Sequence, residues 1–418
     1  MTAKKKKLKT SSKAAALVER ISANAKNQSI VTTASDMSKT YKYIDFFNAA
    51  QNYPCIALEW LLGCKGLLAG RVLQLRAKYS KGKSSFMYYM YAAAQRNAGA
   101  YCFHVETEGA IAPPDYIYSF GCDPDELVIA EHNSLENCFE SIDEIIATIR
   151  GGFGGSKSAA TGRWSKTKYD NPLDAQMEYP IVLGIDSFSA LGLDDQVRED
   201  VADLTSTPGL AAHSRKVRDY LRRRTQRFKQ VQALCMLTSH ETASINTGGG
   251  MGGPKKSALA QEAIGIHATY IIDVTASPWK DKDTGERIGD IITLKTEKNK
   301  MAPRYRQVQL YLRWNYGFDT IKTDTEFLTK HTASPVAEGS KRHSHGIVCP
   351  AVMGDQYAKS EQDFIEAYYG NEDLVMANRE ALRIRGYGFD FEEKYKSIAD
   401  IEAETEAEIA ATEDSDGA

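Results

Sequence analysis

Nowhere in the 418 residues is there an uninterrupted apolar run long enough to cross a bilayer. About 18 such residues would be needed, so no transmembrane helix is expected. The seven cysteines include no Cys-x-x-Cys pair and no metal-ligand spacing with histidine. That argues against a disulfide framework and a zinc site, and for reduced thiols in a cytoplasmic protein. Lys4 to Lys7 and Lys9 make a basic start, but no apolar stretch follows them, so no secretory signal is expected. No internal repeat is evident. Residues 401–418 hold Glu402, Glu404, Glu406, Glu408, Glu413, Asp414 and Asp416 and lack any cation. The net charge of −3 therefore hides a segregated pattern, basic at the start and over Arg215–Lys229, acidic at the end. With 42% apolar and 26% charged residues, the rest has the composition of a globular protein.

What the chain does have is a phosphate-binding signature. Val72-Leu73-Gln74-Leu75 reads as a buried strand, and Phe86 to Arg96 as a helix. Between them runs Ala77-Lys78-Tyr79-Ser80-Lys81-Gly82-Lys83-Ser84-Ser85. In a P-loop the backbone N–H groups and the helix N-terminus cradle phosphates. Lys83 would reach the outer phosphates and Ser84 would hold Mg2+, which makes ATP the first ligand to consider. Ala77 stands where the usual pattern opens with Gly, and a Cβ there is expected to hinder a positive φ or a close approach. A second match, Gly154-Gly155-Ser156-Lys157-Ser158, has no strand before it and reads as a loop.

Strands alternate with helices from about residue 70 to 275, which indicates α/β architecture with a mostly parallel sheet flanked by helices. Ala100–Val105 is a strand running on to Glu106-Thr107-Glu108. Ser134–Ile149 is an amphipathic helix. Ile181–Asp186 is an apolar run ending in an acid, the pattern of a central parallel strand covered on both faces. Leu210–Phe228 is helical, and Ala233–Thr238 is another buried strand. Ala268–Val274, Ile288–Lys295 and Gln307–Arg313 read as further strands.

Hydrolysis of ATP on such a loop needs an acid to organise Mg2+, a base for the attacking water and a polar sensor of the γ-phosphate. Asp186 is the candidate for the first, although an acid after an apolar strand is as often only a loop residue or helix cap. Glu108 is the candidate base, with Glu106 as its competitor. His240, after Thr238-Ser239, is the candidate sensor, although a lone histidine is more often structural. His343 and His345 lack further ligands and read as a surface loop.

Beyond the loop, Cys55–Arg71, Ala92-Ala93-Ala94-Gln95-Arg96, Asp186-Ser187-Phe188-Ser189-Ala190-Leu191, Gly209-Leu210-Ala211-Ala212 and Lys298-Asn299-Lys300-Met301-Ala302-Pro303 follow in order. Together they resemble the RecA/Rad51-type recombinase family over residues 53–320, and the chain looks most similar to the UvsX-like recombinases of bacteriophages. The resemblance implies Glu108 as catalytic base, Asp186 as the acid holding Mg2+ through water, and Tyr116 stacked near the adenine. It implies that Lys298 and Lys300 reach the ATP of the next protomer. It puts one DNA loop near 197–209 and a second near 244–262, and has His213 where the family places a DNA-contacting Arg. Arg215, Arg218 and Arg222 share one helical stripe opposite Val217 and Leu221, with Lys216 beside them. These side chains, Gly248, Gly249 and Gly250, and Lys255 and Lys256 are the candidate DNA contacts, suited to phosphates of any sequence.

The expected organisation is an N-terminal docking segment over 1–52, an ATPase and DNA-binding core over 53–320 with an inserted loop at 150–178, a mainly helical region over 321–400 and an acidic tail over 401–418. The implied activity is ATP-dependent homologous pairing and strand exchange. A helical homo-oligomer on single-stranded DNA would pair with homologous duplex, in the host cytoplasm and off membranes, with a single-strand-binding protein and a loader as partners. Two alternatives stay open: another P-loop DNA motor such as a helicase, and a non-hydrolysing RecA-like mediator.

Overall fold

The computed structural model describes residues 43–45, 55–64, 66–151, 172–194, 207–243, 256–258, 260–320, 322–324, 326–327, 347–348 and 357–358. The chain divides into two compact units, Met1–Tyr43 and Ile44–Ala418, and almost all the described residues belong to the second. Of the expected segments, most of 1–52 and 321–400, the middle of 150–178 and all of 401–418 lie outside the described residues.

The strands are β1 (Tyr43–Asp45), β2 (Gly66–Leu68), β3 (Val72–Ala77), β4 (Tyr101–Glu106), β5 (Leu127–Glu131), β6 (Ile181–Asp186), β7 (Ala233–Ala243), β8 (Lys256–Ala258), β9 (Tyr270–Lys280), β10 (Arg287–Asn299), β11 (Gln307–Arg313), β12 (Gly317–Asp319), β13 (Ile347–Val348) and β14 (Tyr357–Ala358). The helices are α1 (Ile56–Leu62), α2 (Lys83–Ala98), α3 (Pro114–Ser119), α4 (Leu135–Arg150), α5 (Thr207–Val231) and α6 (Gln261–His267). One large sheet has the order β12-β11-β10-β9-β3-β7-β6-β4-β5, with β8 paired to β7. From β9 through β5 every pairing is parallel. From β9 outward to β12 the pairings are antiparallel. This is the RecA-like α/β core, a mostly parallel sheet with helices on both faces, carrying an antiparallel wing.

Its apolar patterning follows from that position. β3 and β6 are buried at every residue, as strands covered on both faces must be. One core, with α1, α2 and the inner side of the wing, lies on one face; a second, with α4, α5 and α6, lies on the other. α2 is buried over nearly its whole length and crosses β6 so closely that a Cβ on Gly184 would fall 1.8 Å from the Tyr91 hydroxyl. A small residue in mid-strand is required there. α4 starts at Ser134, whose hydroxyl accepts the Asn137 N–H at 3.2 Å. In α5, Val217, Leu221, Phe228 and Val231 recur at helical spacing and are buried.

Candidate nucleotide site

The C-terminal ends of parallel strands carry loops, and open α/β sheets collect ligands there. At the end of β3 the chain turns through Ser80 (φ +52°) and Gly82 (φ +83°) into α2. A Cβ on Gly82 would sit 2.9 Å from Ile292 Cδ1, so both its φ and its neighbour call for glycine. Ala77 does not share this demand. It is the last residue of β3, buried, paired with His240 and absent from the positive-φ positions. The expected hindrance at Ala77 is therefore not found, because the conformation that favours glycine begins three residues later.

Lys83 opens α2 and is 5% exposed. Its ammonium donates to the Lys78 carbonyl at 3.3 Å and stands 3.5 Å from His240 Nδ1. Burial pushes this ammonium below its ordinary range, while Asp186, Glu108 and Glu241 pull it back up. His240 Nε2 is 2.8 Å from Glu108 Oε1, so one imidazole bridges Lys83 and Glu108. A carboxylate can only accept and an ammonium only donate, which assigns the proton to Nε2. The His240 backbone N–H donates to Ser189 Oγ at 3.0 Å and fixes the ring's strand. Burial raises the Glu108 carboxyl, but hydrogen bonds from Ser187 and His240 outweigh it and hold it below the usual carboxylate range.

Glu106 and Glu108 are separated by environment. Glu106 is 5% exposed and turned inward, where Oε1 accepts the N–H groups of Thr107 at 3.0 Å and Glu108 at 2.7 Å. Its other oxygen lies 3.6 Å from His104 Nε2. Glu106 thus shapes the turn that presents Glu108, whose side chain is 42% exposed and faces the loop. Beside them Asp186 is level with Glu106 in the β4–β6 register, and its Oδ1 accepts the Thr238 hydroxyl at 2.5 Å. Thr107 ties the strand ends together through its N–H to Asp186 O and its hydroxyl to Ser187 O. Tyr116, on α3, is 41% exposed and joins its hydroxyl to Ser85 Oγ at 2.9 Å, with edge contacts to Tyr88 and Phe120. Sequence reasoning missed α3; Pro114 at its first position was the available signal.

The structure therefore brings together Lys83, Ser84, Tyr116, Glu108, Asp186 and His240. It keeps Lys298 and Lys300 apart from them. Asn299 pairs with Tyr270, which pairs with Leu73 at the start of β3, and the Lys300 N–H donates to Thr269 O. From Leu73 to Ala77 is about 13 Å of strand, so these lysines belong to the opposite edge. On α5, Arg215, Lys216, Arg218 and Arg222 are all exposed. Lys216 is ion-paired to Glu136 and Arg222 lies 3.6 Å from Asp219. His213 is 4% exposed, with Nε2 at 3.1 Å from Leu191 O and its ring edge-on to Phe188, so it is a core residue. Gly248, Gly249, Gly250 and Lys255 lie outside the described residues; the Lys256 backbone pairs with Ala243 as β8 returns along β7.

A glycine turn from a central parallel strand into a buried helix, with a strand-end acid beside a second carboxylate, defines an α/β core of the RecA-like class. The RecA N-terminal domain pattern matches residues 15–151. The chain is similar to Protein RecA of Amycolatopsis mediterranei (strain U-32), 28% identical over 262 residues, 63% of this chain and 64% of that one. Protein RecA of Gluconacetobacter polyoxogenes is 27% identical over 267 residues, 64% of this chain and 65% of that one. That of Deinococcus radiodurans is 24% identical over 266 residues, 64% and 63% respectively. The chain thus spans a little under two thirds of the length of these curated relatives. The similarity to RecA proteins is thus partial in both identity and length.

Proposed function

We propose that this chain is an ATP-dependent DNA recombinase of the UvsX-like phage type, acting as a helical filament on single-stranded DNA. The observation that carries this reading is the continuous line Lys83–His240–Glu108, at 3.5 and 2.8 Å, across the ends of β3, β7 and β4. ATP would seat its phosphates on the Ala77–Ser85 loop, with Lys83 at the outer phosphates and Tyr116 beside the base. The oxygen donors suit a hard cation: the Ser84 hydroxyl and, through water, the buried Asp186 carboxylate would hold Mg2+, which supplies charge neutralisation when bound. Glu108 would take the proton of the attacking water as the bond to the β–γ bridging oxygen breaks. His240, hydrogen-bonded to that carboxylate, would report the change along β7 to the 244–255 connection and β8. DNA would lie along Arg215, Arg218 and that connection, held by phosphates and tested by base pairing with incoming homologous duplex. A single-strand-binding protein and a loader are the partners this activity calls for.

ATP hydrolysis measured with and without single-stranded DNA, with negative-stain images of the same samples, tests the reading. Strong stimulation together with helical filaments is expected. Absence of both overturns it.

A further inference from the structure

A polar line runs through the core behind Glu108. Cys102, His104 and Glu106 alternate onto one face of β4, where Cys102 and His104 meet Tyr91 of α2 and His104 has no exposure at all. The Tyr91 hydroxyl lies 3.1 Å from His104 Nδ1 and 3.3 Å from Phe103 O, and the Tyr88 ring is 5.7 Å from the imidazole. Gly184 pairs with His104 across β4 and β6, and the Tyr91 hydroxyl takes the space that a side chain there would need. On its other side His104 faces Glu106, with Nε2 at 3.6 Å from Oε2 and in no hydrogen bond among the described residues. That contact is electrostatic rather than a close hydrogen bond. A carboxylate only accepts, so Nε2 carries a proton, and in the neutral ring Nδ1 is left to accept the Tyr91 hydroxyl. Burial raises the Glu106 carboxyl, but His104 and the Glu108 N–H outweigh it and keep it below the usual carboxylate range. Its Oε1 accepts the Thr107 and Glu108 N–H groups at 3.0 and 2.7 Å. The contacts therefore run unbroken from the middle of α2 to the backbone of Glu108. Burying a histidine and a carboxylate costs more than filling the same space with apolar side chains, so stability alone gives no reason for the line.

We propose that Tyr91 and His104 are positioning residues for the hydrolytic base, holding the Glu106 carboxylate in the orientation that fixes the turn presenting Glu108. Glu106 stands at the end of β4, with two directions open to it: outward to solvent, or inward beneath the Thr107 and Glu108 N–H groups. The proton on His104 Nε2 favours the inward one, and the Tyr91 hydroxyl keeps the ring from turning away. Tyr91 lies about 12 Å along α2 from Lys83, so the line also ties the helix that opens with the P-loop lysine to the strand that carries the base. Losing a link would leave ATP bound as before and misplace Glu108, which lowers kcat and leaves KM alone. The inference rests on the reading of Glu108 as the base of an ATPase, but the state of the turn can be read without turnover.

Two measurements on the full chain test it. The first is hydrogen–deuterium exchange of the Thr107 and Glu108 amides, which needs no activity. In His104→Phe these amides should exchange about tenfold faster than in the wild type, because a buried carboxylate deprived of the imidazole N–H turns toward solvent. Adding Glu106→Gln should slow them again, since a neutral side chain can stay inward and still accept both N–H groups. Exchange in His104→Phe that matches the wild type overturns the proposal. The second measurement is ATP turnover with single-stranded DNA. His104→Phe should lower kcat by about tenfold with KM for ATP within about twofold, and should cost much less in a Glu106→Gln background. A rise in KM at unchanged kcat, or equal losses in the two backgrounds, would make His104 a packing residue and overturns the proposal too. Tyr91→Phe keeps the shape of the core and carries the test should His104→Phe fail to fold. It should move both readouts the same way by about threefold, and no change in either strikes out the line. A wild-type chain without DNA-stimulated turnover would sink the recombinase reading, while the exchange measurement would still decide this one.

Discussion

The two edges of one parallel sheet treat charge in opposite ways. At the C-terminal edge every catalytic candidate has a counterpart: Lys83 faces His240, His240 faces Glu108, and Asp186 holds the Thr238 hydroxyl. At the N-terminal edge Lys300, Lys298 and Arg222 all act on His267, and among the described residues their one ion pair is that of Arg222 with Asp219. The first edge pairs its charged groups with one another; the second sets like charges near one another.

The largest effect should come from breaking the balanced edge. Glu108→Gln removes the only exposed carboxylate on the line while keeping its shape, and turnover should fall by about 10²–10⁴-fold, the range for a general base. Glu106→Gln should act differently. Its oxygen can still accept the Thr107 and Glu108 N–H groups, so a loss well short of that of Glu108→Gln is expected in the same assay. If Glu106→Gln were the more damaging, the assignment of the two acids would be reversed.

Asp324 sharpens the comparison as a buried acid that makes no ion pair with the described residues. It is 2% exposed and accepts the N–H groups of Ile56 and Ala57, both at 3.1 Å, at the start of α1. Burial pushes its carboxyl up to about 7 despite these donors. A raised carboxyl means the folded chain holds its proton longer than the unfolded chain, whose Asp ionises near 4. Stability from this group is therefore complete below about pH 4, falls as pH rises toward about 7, and is flat above. The fall should amount to a few kcal/mol, and Asp324→Asn should flatten it in urea melts across that window. A dependence that survives the substitution would assign it elsewhere.

Much of this was legible in the sequence, for a physical reason. β6 and β11 lie where they were expected, because an apolar run ending in an acid, or alternating apolar residues, leaves little freedom. β7 and β10 extend beyond their apolar centres, β7 by five residues to Ala243 and β10 to Asn299, because backbone pairing with β8 and with β9 continues where side-chain hydrophobicity stops. β5 was missed since only Leu127 of its five residues is buried. At the site, residue types and order singled out Lys83, Asp186 and Glu108 as candidates, and the fold sets them at the ends of neighbouring strands. The division of labour between Glu106 and Glu108 was not legible, as it depends on where the chain turns after β4. Nor was the meeting of Thr225 with His267 or of Lys298 with Gly265: these residues lie far apart in sequence and meet only through the packing of α5, α6 and β10.

The smallest effect separates charges that look alike along α5. Arg215 and Arg218 are exposed and make no ion pair with the described residues, whereas Lys216 is tied across to Glu136 on α4. A phosphate contact on single-stranded DNA contributes roughly 0.7 to the slope of log affinity against log salt. Arg215→Ala with Arg218→Ala should therefore flatten that slope by about 1.4, with affinity falling alike on any sequence. Lys216→Ala should change it by much less, because its ammonium is already neutralised and must leave Glu136 to reach a phosphate. Equal slopes for all three would mean that the Lys216–Glu136 pair opens on DNA at little cost, as exposed pairs worth under about 1 kcal/mol can. The distinction between paired cations and those set among like charges, clear at the two edges of the sheet, would then not extend to this helix.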